Sequence, residues 1–409
     1  MRPWQVLLLI LTLGFFAITS GWKVLYILTY VLLILFVLSW FWARYSLRLL
    51  VFHRTWGSGR RDSVLRPSVG EVFEESLILD NGSILPKLWV QIVDGSTLPG
   101  HRAHSVVSIG GHKRAVWRAR STCRQRGLFR LGPVSAFSGD PFGLFRRRIF
   151  LQTSQAILVL PRLYPLTQFP LLHGGLPGRG RSSRRALLAT TNVTTVREYL
   201  PGDAFSRVHW RSSAHHNKLM VKEFDLDPAV DVWIFLDLDQ SVQAGRGEHS
   251  TEEYGVTIAA TIANYLLRED LSLGMIVNGQ RRDVLSLDRG DRQIERVLEL
   301  LAITSTGNGP SLCESFILDG FQFGRNTVVI VITPSNLSDW HQGVQHLQRR
   351  GAQVCVIGID AASFERRPPN EDTLALLEAI GISVIRVKYK DSLVQVLESG
   401  SDANMLRHR

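Results

Sequence analysis

The chain has 409 residues, 45% of them hydrophobic, enough to build two or three domains. Its formal net charge of +11 at pH 7 favours a polyanionic neighbour, either anionic lipid or nucleic acid. The three cysteines, Cys123, Cys313 and Cys355, are odd in number and far apart, so no disulfide framework is implied.

Residues 4–20 and 24–42 are apolar segments separated by Gly21-Trp22-Lys23. The second is long enough to span a bilayer and the first lies at the short end of the range. Trp4, Trp22, Trp40 and Trp42 stand near the ends, where interfacial anchors belong. A cleaved signal peptide fits poorly, because a second apolar span follows at once. Behind residue 43 come Arg44, Arg48, Arg54, Arg60, Arg61 and Arg66, against a single Lys23 in the hairpin loop. That bias predicts a transmembrane hairpin over residues 1–45 in the inner (plasma) membrane, with both termini and all soluble parts cytoplasmic. It also makes the bilayer the anionic neighbour. No aromatic-interleaved basic module argues for nucleic acid.

Residues 60–165 read as a small β-sandwich. VFEESLILDNGS, LPKLWVQIVDGS, HSVVSIGG, HKRAVWRARSTC and ILVLPRLY are short β-rich runs punctuated by Asn-Gly, Asp-Gly and Gly-Gly. In DPFGLF, Asp-Pro begins a turn, and Phe142, Leu144 and Phe145 are expected to plug a core edge, with docking onto the α/β domain as the functional alternative. Residues 173–185, HGGLPGRGRSSRR, are a basic Gly/Arg-rich loop.

Residues 190–225 hold the densest motif, REYLPGDAFSRVHWRSSAHHNKLMVKEFD. Pro201-Gly202 suits a type II turn, Asp203 stands as N-cap of a short helix over AFSRVHWRSSA, and LMVKEF is a strand. Arg197 and Arg207 can pair with Asp203 or Glu223 while Trp210 packs on a guanidinium. Tyr199, Gly202, His209 and Lys222 complete this network. His209, His215 and His216 lack metal-ligand spacing, so His209 is expected in a hydrogen-bonded turn and the other two at the surface.

From 229 to 400 strands and helices alternate. VDVWIFLDLD is apolar on both faces, like a central parallel strand. Ser250 caps a helix to 268, with Glu252 and Glu253 in its first turn. LSLGMIV and DVLSLD form a hairpin, followed by helices at 291–303, 336–350, 371–379 and 391–398, alternating with strands NTVVIVIT, AQVCVIGID and ISVIRV. The whole is a membrane-anchored α+β protein ending in a doubly wound α/β domain with one antiparallel strand.

The motif of residues 197–225, with RQRGLFRLGPVSAFSGDPFGLFRRR (124–148) upstream, resembles the bacterial family catalogued as domain of unknown function 58. His215 stands where that resemblance implies arginine. The resemblance implies a von Willebrand factor type A-like fold for the last domain. It also implies companionship with MoxR-type AAA+ ATPases, hence a non-enzymatic scaffold in protein assembly or maturation at the membrane. Type A domains that hold a divalent cation use Asp-x-Ser-x-Ser at the first strand end. Here Asp237, Asp239 and Ser241 occupy it, with Ser311 or Thr306 as a further oxygen donor, so a degenerate Mg²⁺ site is one expectation. The same Asp-x-Asp invites a magnesium-dependent phosphohydrolase with Asp237 as nucleophile and Asp239 as acid/base. That enzyme would want a later lysine, and after VITPSN none occurs until Lys388.

Overall fold

A computed structural model describes residues 3–56, 66–169, 193–199, 208–224, 230–320, 323–324, 326–337, 339–365, 369 and 371–399. The chain divides into two compact units, Met1–Leu160 and Pro161–Arg409. The basic loop 173–185 and the residues Gly202, Asp203 and Arg207 lie outside the described residues.

Unit 1 starts with α1 (Pro3–Ser20) and α2 (Lys23–Tyr45), both long and apolar enough to cross a membrane. Gly21, at φ +67°, makes the left-handed turn that reverses the chain between them. Leu11, Phe15, Ile27 and Val37 are more than half exposed, so these faces are not covered by the rest of the fold.

An all-antiparallel set of strands follows: β1 (Leu50–Trp56), β2 (Val72–Asn81), β3 (Lys87–Asp94), β4 (Ser105–Ile109), β5 (Arg114–Thr122), β6 (Gly127–Leu131), β7 (Val134–Gly139), β8 (Arg146–Gln152) and β9 (Gln155–Val159). They form sheets β1-β2-β5 and β4-β3-β7-β8 and a ribbon β6-β9. Phe52, Leu77, Leu79 and Ala119 of the first sheet meet Val90, Ile92, Val134 and Ala136 of the second in one core. The sandwich therefore begins earlier than residue 60: Leu50–Trp56 pairs with β2 along its full length. Its arginine and histidine disguise an ordinary inward alternation. Strands β6, β7 and β8 also escape sequence reading, since RRRIFLQ is rich in charge and GLFRL is short.

Phe145 does not plug a sandwich edge. Its ring packs edge-on against Phe36 of α2, 5.3 Å between centroids, while Phe142 is 60% exposed. Asp140 closes the turn by accepting the Phe142 and Phe145 amides.

Unit 2 contains β10 (Val193–Glu198), α3 (Trp210–His216), β11 (Met220–Phe224), β12 (Asp231–Asp237), the small bridge β13 (Gly245–Arg246) and β14 (His249–Ser250), and α4 (Thr251–Arg268). Next come β15 (Ser272–Asn278), β16 (Arg282–Asp288), α5 (Asp291–Ile303), α6 (Leu312–Asp319), β17 (Thr327–Thr333) and α7 (His341–Arg349). The unit ends with β18 (Gln353–Ile359), α8 (Ala361–Phe364), α9 (Glu371–Ala379), β19 (Ser383–Val387) and α10 (Leu393–Ser399).

The main sheet has order β16-β15-β12-β17-β18-β19, parallel throughout except for the edge strand β16, which returns antiparallel from β15. Alternate residues of β12 face opposite layers. Trp233 and Phe235 pack with Phe316 of α6, Val344 of α7 and Leu374 of α9. On the other side Gly255 of α4 lies close to Leu236, Ile332 and Ile359. Helices thus cover both faces, and the strands between them are apolar all round.

The Ser250 cap of α4 is present, accepting the Glu253 amide. Helix α7 starts at His341, later than residue 336, because Ser335 ties back the Leu337 amide and Trp340 is buried as the residue before the helix. Helix α6 is an addition to the elements expected from sequence.

Candidate functional site

The chain leaves β12 towards β15 on one side and reaches β17 on the other, so the carboxyl end of β12 is the topological switch point of the sheet, where open α/β folds bind their ligands. Asp237 sits there, 3% exposed. The parallel register reaches Leu236↔Ile332, which brings Asp237 and Thr333 side by side. The Asp239 amide donates to Asp237 Oδ1 at 3.1 Å and the Thr333 hydroxyl to Oδ2 at 2.6 Å. Thr333 Oγ1 in turn accepts the Ser335 amide at 2.9 Å. Burial pushes the Asp237 carboxyl up to about 6. The two hydrogen bonds pull the other way, and the charges of Asp239 and Asp339 push upward again.

Asp239 and Ser241 form the loop beyond. Asp239 Oδ1 accepts the Ser241 amide at 2.9 Å, and Asp239 pairs by backbone with Gly307. A Cβ on Gly307 would lie 2.3 Å from the Gln280 Cα, and one on Gly279 would lie 2.3 Å from the Ser305 carbonyl oxygen. Only glycine lets these two loops approach so closely. The glycines of STGNGPSL therefore serve backbone packing beside Asp239.

Ser311 is placed at the N-terminus of α6. Its hydroxyl accepts the Glu314 amide while the Glu314 carboxylate accepts the Ser311 amide, a reciprocal capping box. Ser311→Ala should therefore cost about 1 kcal/mol. Urea unfolding of the full-length protein should show that loss equally with and without magnesium; a loss seen only with magnesium would make Ser311 a ligand. Lys388 follows β19, three strands from β12, roughly 14 Å at the usual strand spacing. Its amine pairs with Glu371 at 3.3 Å.

In the dense motif, β10 and β11 form a two-stranded antiparallel ribbon with Arg197 opposite Val221 and Val196 opposite Lys222. The side chains of Arg197, Lys222 and Glu223 lie outside the described residues. The short helix begins later than expected from Asp203. Val208 is still extended, bridging Val221, and α3 starts at Trp210 with His209 as its N-cap. His209 Nδ1 accepts the Ser212 amide and contacts the Ser212 hydroxyl at 2.7 Å, so this histidine does stand in a hydrogen-bonded turn. Ser213 Oγ accepts the Met220 amide at 2.9 Å and the Tyr199 amide donates to Leu219 O, stitching α3 to the ribbon. Trp210 is 66% exposed; His215 and His216 are exposed as well.

Sequence reasoning missed a buried charge cluster in unit 1. Arg54 of β1 contacts Asp94 of β3 closely, and its Nε lies 3.2 Å from Glu75 of β2. His101 Nε2 lies 3.3 Å from Glu75 and 3.2 Å from Asp94, while its Nδ1 meets the Ser121 hydroxyl at 2.8 Å. Asp94 Oδ1 also accepts the Gly132 amide. All four side chains are at most 1% exposed. Burial raises the Glu75 carboxyl, against the pull of Arg54 and His101. For Asp94 burial also works upward, but His101 and Arg54 together outweigh it and hold the carboxyl below its ordinary value. Glu75, Asp94 and His101 would offer three oxygen or nitrogen ligands to a cation, but the guanidinium already occupies the space between the carboxylates. The cluster reads as a charge lock joining the two sheets. Its signal was in the alternation: Phe52-x-Arg54-x-Trp56 and Phe73-x-Glu75-x-Leu77 put charges at inward positions.

Residues 195–391 match the model of the family described as "Protein of unknown function DUF58". The uncharacterized protein YeaD of Bacillus subtilis (strain 168) is 24% identical over 178 residues, 44% of this chain and 43% of that protein. The chain thus spans less than half of that relative. Solved structures overlap only in part. The pilus adhesin SpaC of Lactobacillus rhamnosus GG gives a TM-score of 0.35 at 11% identity, covering 43% of this chain and 30% of that one. Proximal thread matrix protein 1 from the mussel byssus gives 0.30 at 14% identity, covering 43% and 48%. Overlaps of this size carry no argument about function.

Proposed function

We propose that this chain is a membrane-anchored, non-enzymatic scaffold whose α/β unit, read as von Willebrand factor type A-like, offers the loops around Asp239 and Ser241 to a protein partner. The partner most in keeping with the resemblance is a MoxR-type AAA+ ATPase acting in assembly or maturation of other proteins, with the soluble units in the cytoplasm. The observation that carries the reading is the engagement of Asp237: each carboxylate oxygen already takes a hydrogen bond from within the fold. A nucleophile or a cation ligand needs a lone pair aimed outward. At 3% exposure Asp237 offers little such access, and its two internal hydrogen bonds support a brace that holds the loop face rigid for recognition.

Crosslinking the full-length protein in its native membranes, followed by identification of the attached chain, is expected to return an AAA+ ATPase. In parallel, a phosphatase assay of the purified full-length protein with magnesium should show no turnover above that of Asp237→Asn. Metal-dependent hydrolysis abolished by that substitution would replace the scaffold with the phosphohydrolase using Asp237 and Asp239.

A further inference from the structure

Where α2 ends, the sandwich forms a cavity of about 340 Å³ lined by Trp42, Leu88, Trp89, Asp140, Pro141 and Arg146 among others. We propose that this cavity holds the headgroup of an anionic glycerophospholipid, an inference that rests on reading α2 as a membrane span.

Depth comes first. A tryptophan in the last turns of a spanning helix marks the headgroup level, so Trp42 puts the cavity there. Phe36, six residues earlier, lies about 9 Å deeper along the axis. The ring of Phe145 packs on Phe36, which carries the turn 140–145 towards the acyl boundary. In and beside the cavity wall Leu88 is 55%, Trp89 46% and Phe142 60% exposed. Apolar side chains this open suit the interfacial layer and are costly in water.

Charge decides the kind of lipid. The Arg147 guanidinium donates to the Arg44 carbonyl at 2.8 Å and the Lys87 amine to the Tyr45 carbonyl at 2.9 Å. Both side chains are thus spent on the last carbonyls of α2. Arg146 is different. It is exposed and pairs with none of the described residues. The carboxylate in the wall, Asp140, is buried, accepts the Phe142 and Phe145 amides and makes no ion pair with Arg146, so the guanidinium is left to meet a phosphate directly. An exposed guanidinium in the same cavity wall as two indoles matches a phosphodiester whose glycerol backbone rests on the tryptophans.

The test uses detergent-solubilised full-length protein titrated with short-chain phosphatidylglycerol or phosphatidylcholine and read by native mass spectrometry. Phosphatidylglycerol should bind roughly fivefold tighter than phosphatidylcholine, the weight of about one interfacial cation. Arg146→Gln should erase that preference, and the exposed Arg118→Gln on β5 should leave it intact. Equal binding of both lipids, an unchanged preference in Arg146→Gln, or displacement of the lipid by inorganic phosphate would each overturn the site. Alkaline carbonate extraction separates the two levels of the argument. Release of the wild type from membranes sinks the span itself, whereas retention with no Arg146 effect sinks only the headgroup site.

Discussion

Replacing Arg54 with leucine should destabilise unit 1 by about 3–5 kcal/mol, the cost of stranding buried charges whose partner is gone. Glu75 and Asp94 would then face each other with only His101 between them, in a place with almost no solvent. Glu75→Gln is the informative contrast. Burial already raises the Glu75 carboxyl, and its contacts lie at ion-pair distance without hydrogen-bond alignment. A neutral isostere there should cost far less, about 1 kcal/mol, because Arg54 keeps Asp94 as its partner. The pH dependence has a definite sign. Asp94 is held below its ordinary value, so its contribution is present above the unfolded value and is lost as pH falls through the folded one. Removing Arg54 takes away part of that pull, so the gap between wild type and Arg54→Leu should narrow in acid. Hydrogen exchange of β1, β2 and β3 in the full-length protein reads this directly. Equal losses for Arg54→Leu and Glu75→Gln would mean that the cluster is held by shape alone.

Much of unit 2 was legible because its signals are local. Ser250 with Glu252 and Glu253 announces α4, and an unbroken apolar run announces β12. Asp237 could be singled out since strand ends in such sheets are where sites lie. Its partner could not, because the Thr333 hydroxyl reaches it only through the register of two strands 96 residues apart. Ser311 shows a related limit: a serine in a glycine-rich loop looks like an oxygen donor, and its part in the capping box of α6 is masked by that sequence context. Unit 1 was read less well where charges sit on alternating strands. Arg54 and Glu75 look like surface residues until two sheets close over them. Phe145 was recognised as a plug, but the surface it plugs belongs to α2, more than a hundred residues away in sequence.

At pH 8, Asp237→Asn should make the β12–β17 region more stable than the wild type. The folded carboxyl stands near 6 against an ordinary value of 3.8, and a gap of that size corresponds to about 3 kcal/mol. The sign follows from proton binding. Between roughly pH 4 and 6 the folded state holds a proton that the unfolded chain has released, so stability is lost as pH rises through this window. Above it the fold carries a buried carboxylate at full cost. Asparagine resembles the protonated acid: its Oδ1 can accept the Asp239 amide and its Nδ2 can donate to Thr333 Oγ1, whose hydroxyl proton must then turn to another acceptor, so the site loses its charge at the cost of about one hydrogen bond. The gain should therefore appear above pH 6 and vanish near pH 4, seen as slower amide exchange in β12 and β17 of the full-length protein. The competing outcome has a different signature. If Asp237 held a cation, magnesium would protect the wild type at pH 8, and Asp237→Asn would lose that protection and exchange faster. The two results cannot coexist, so one pair of exchange curves separates a carboxylate that braces a recognition face from one that binds metal.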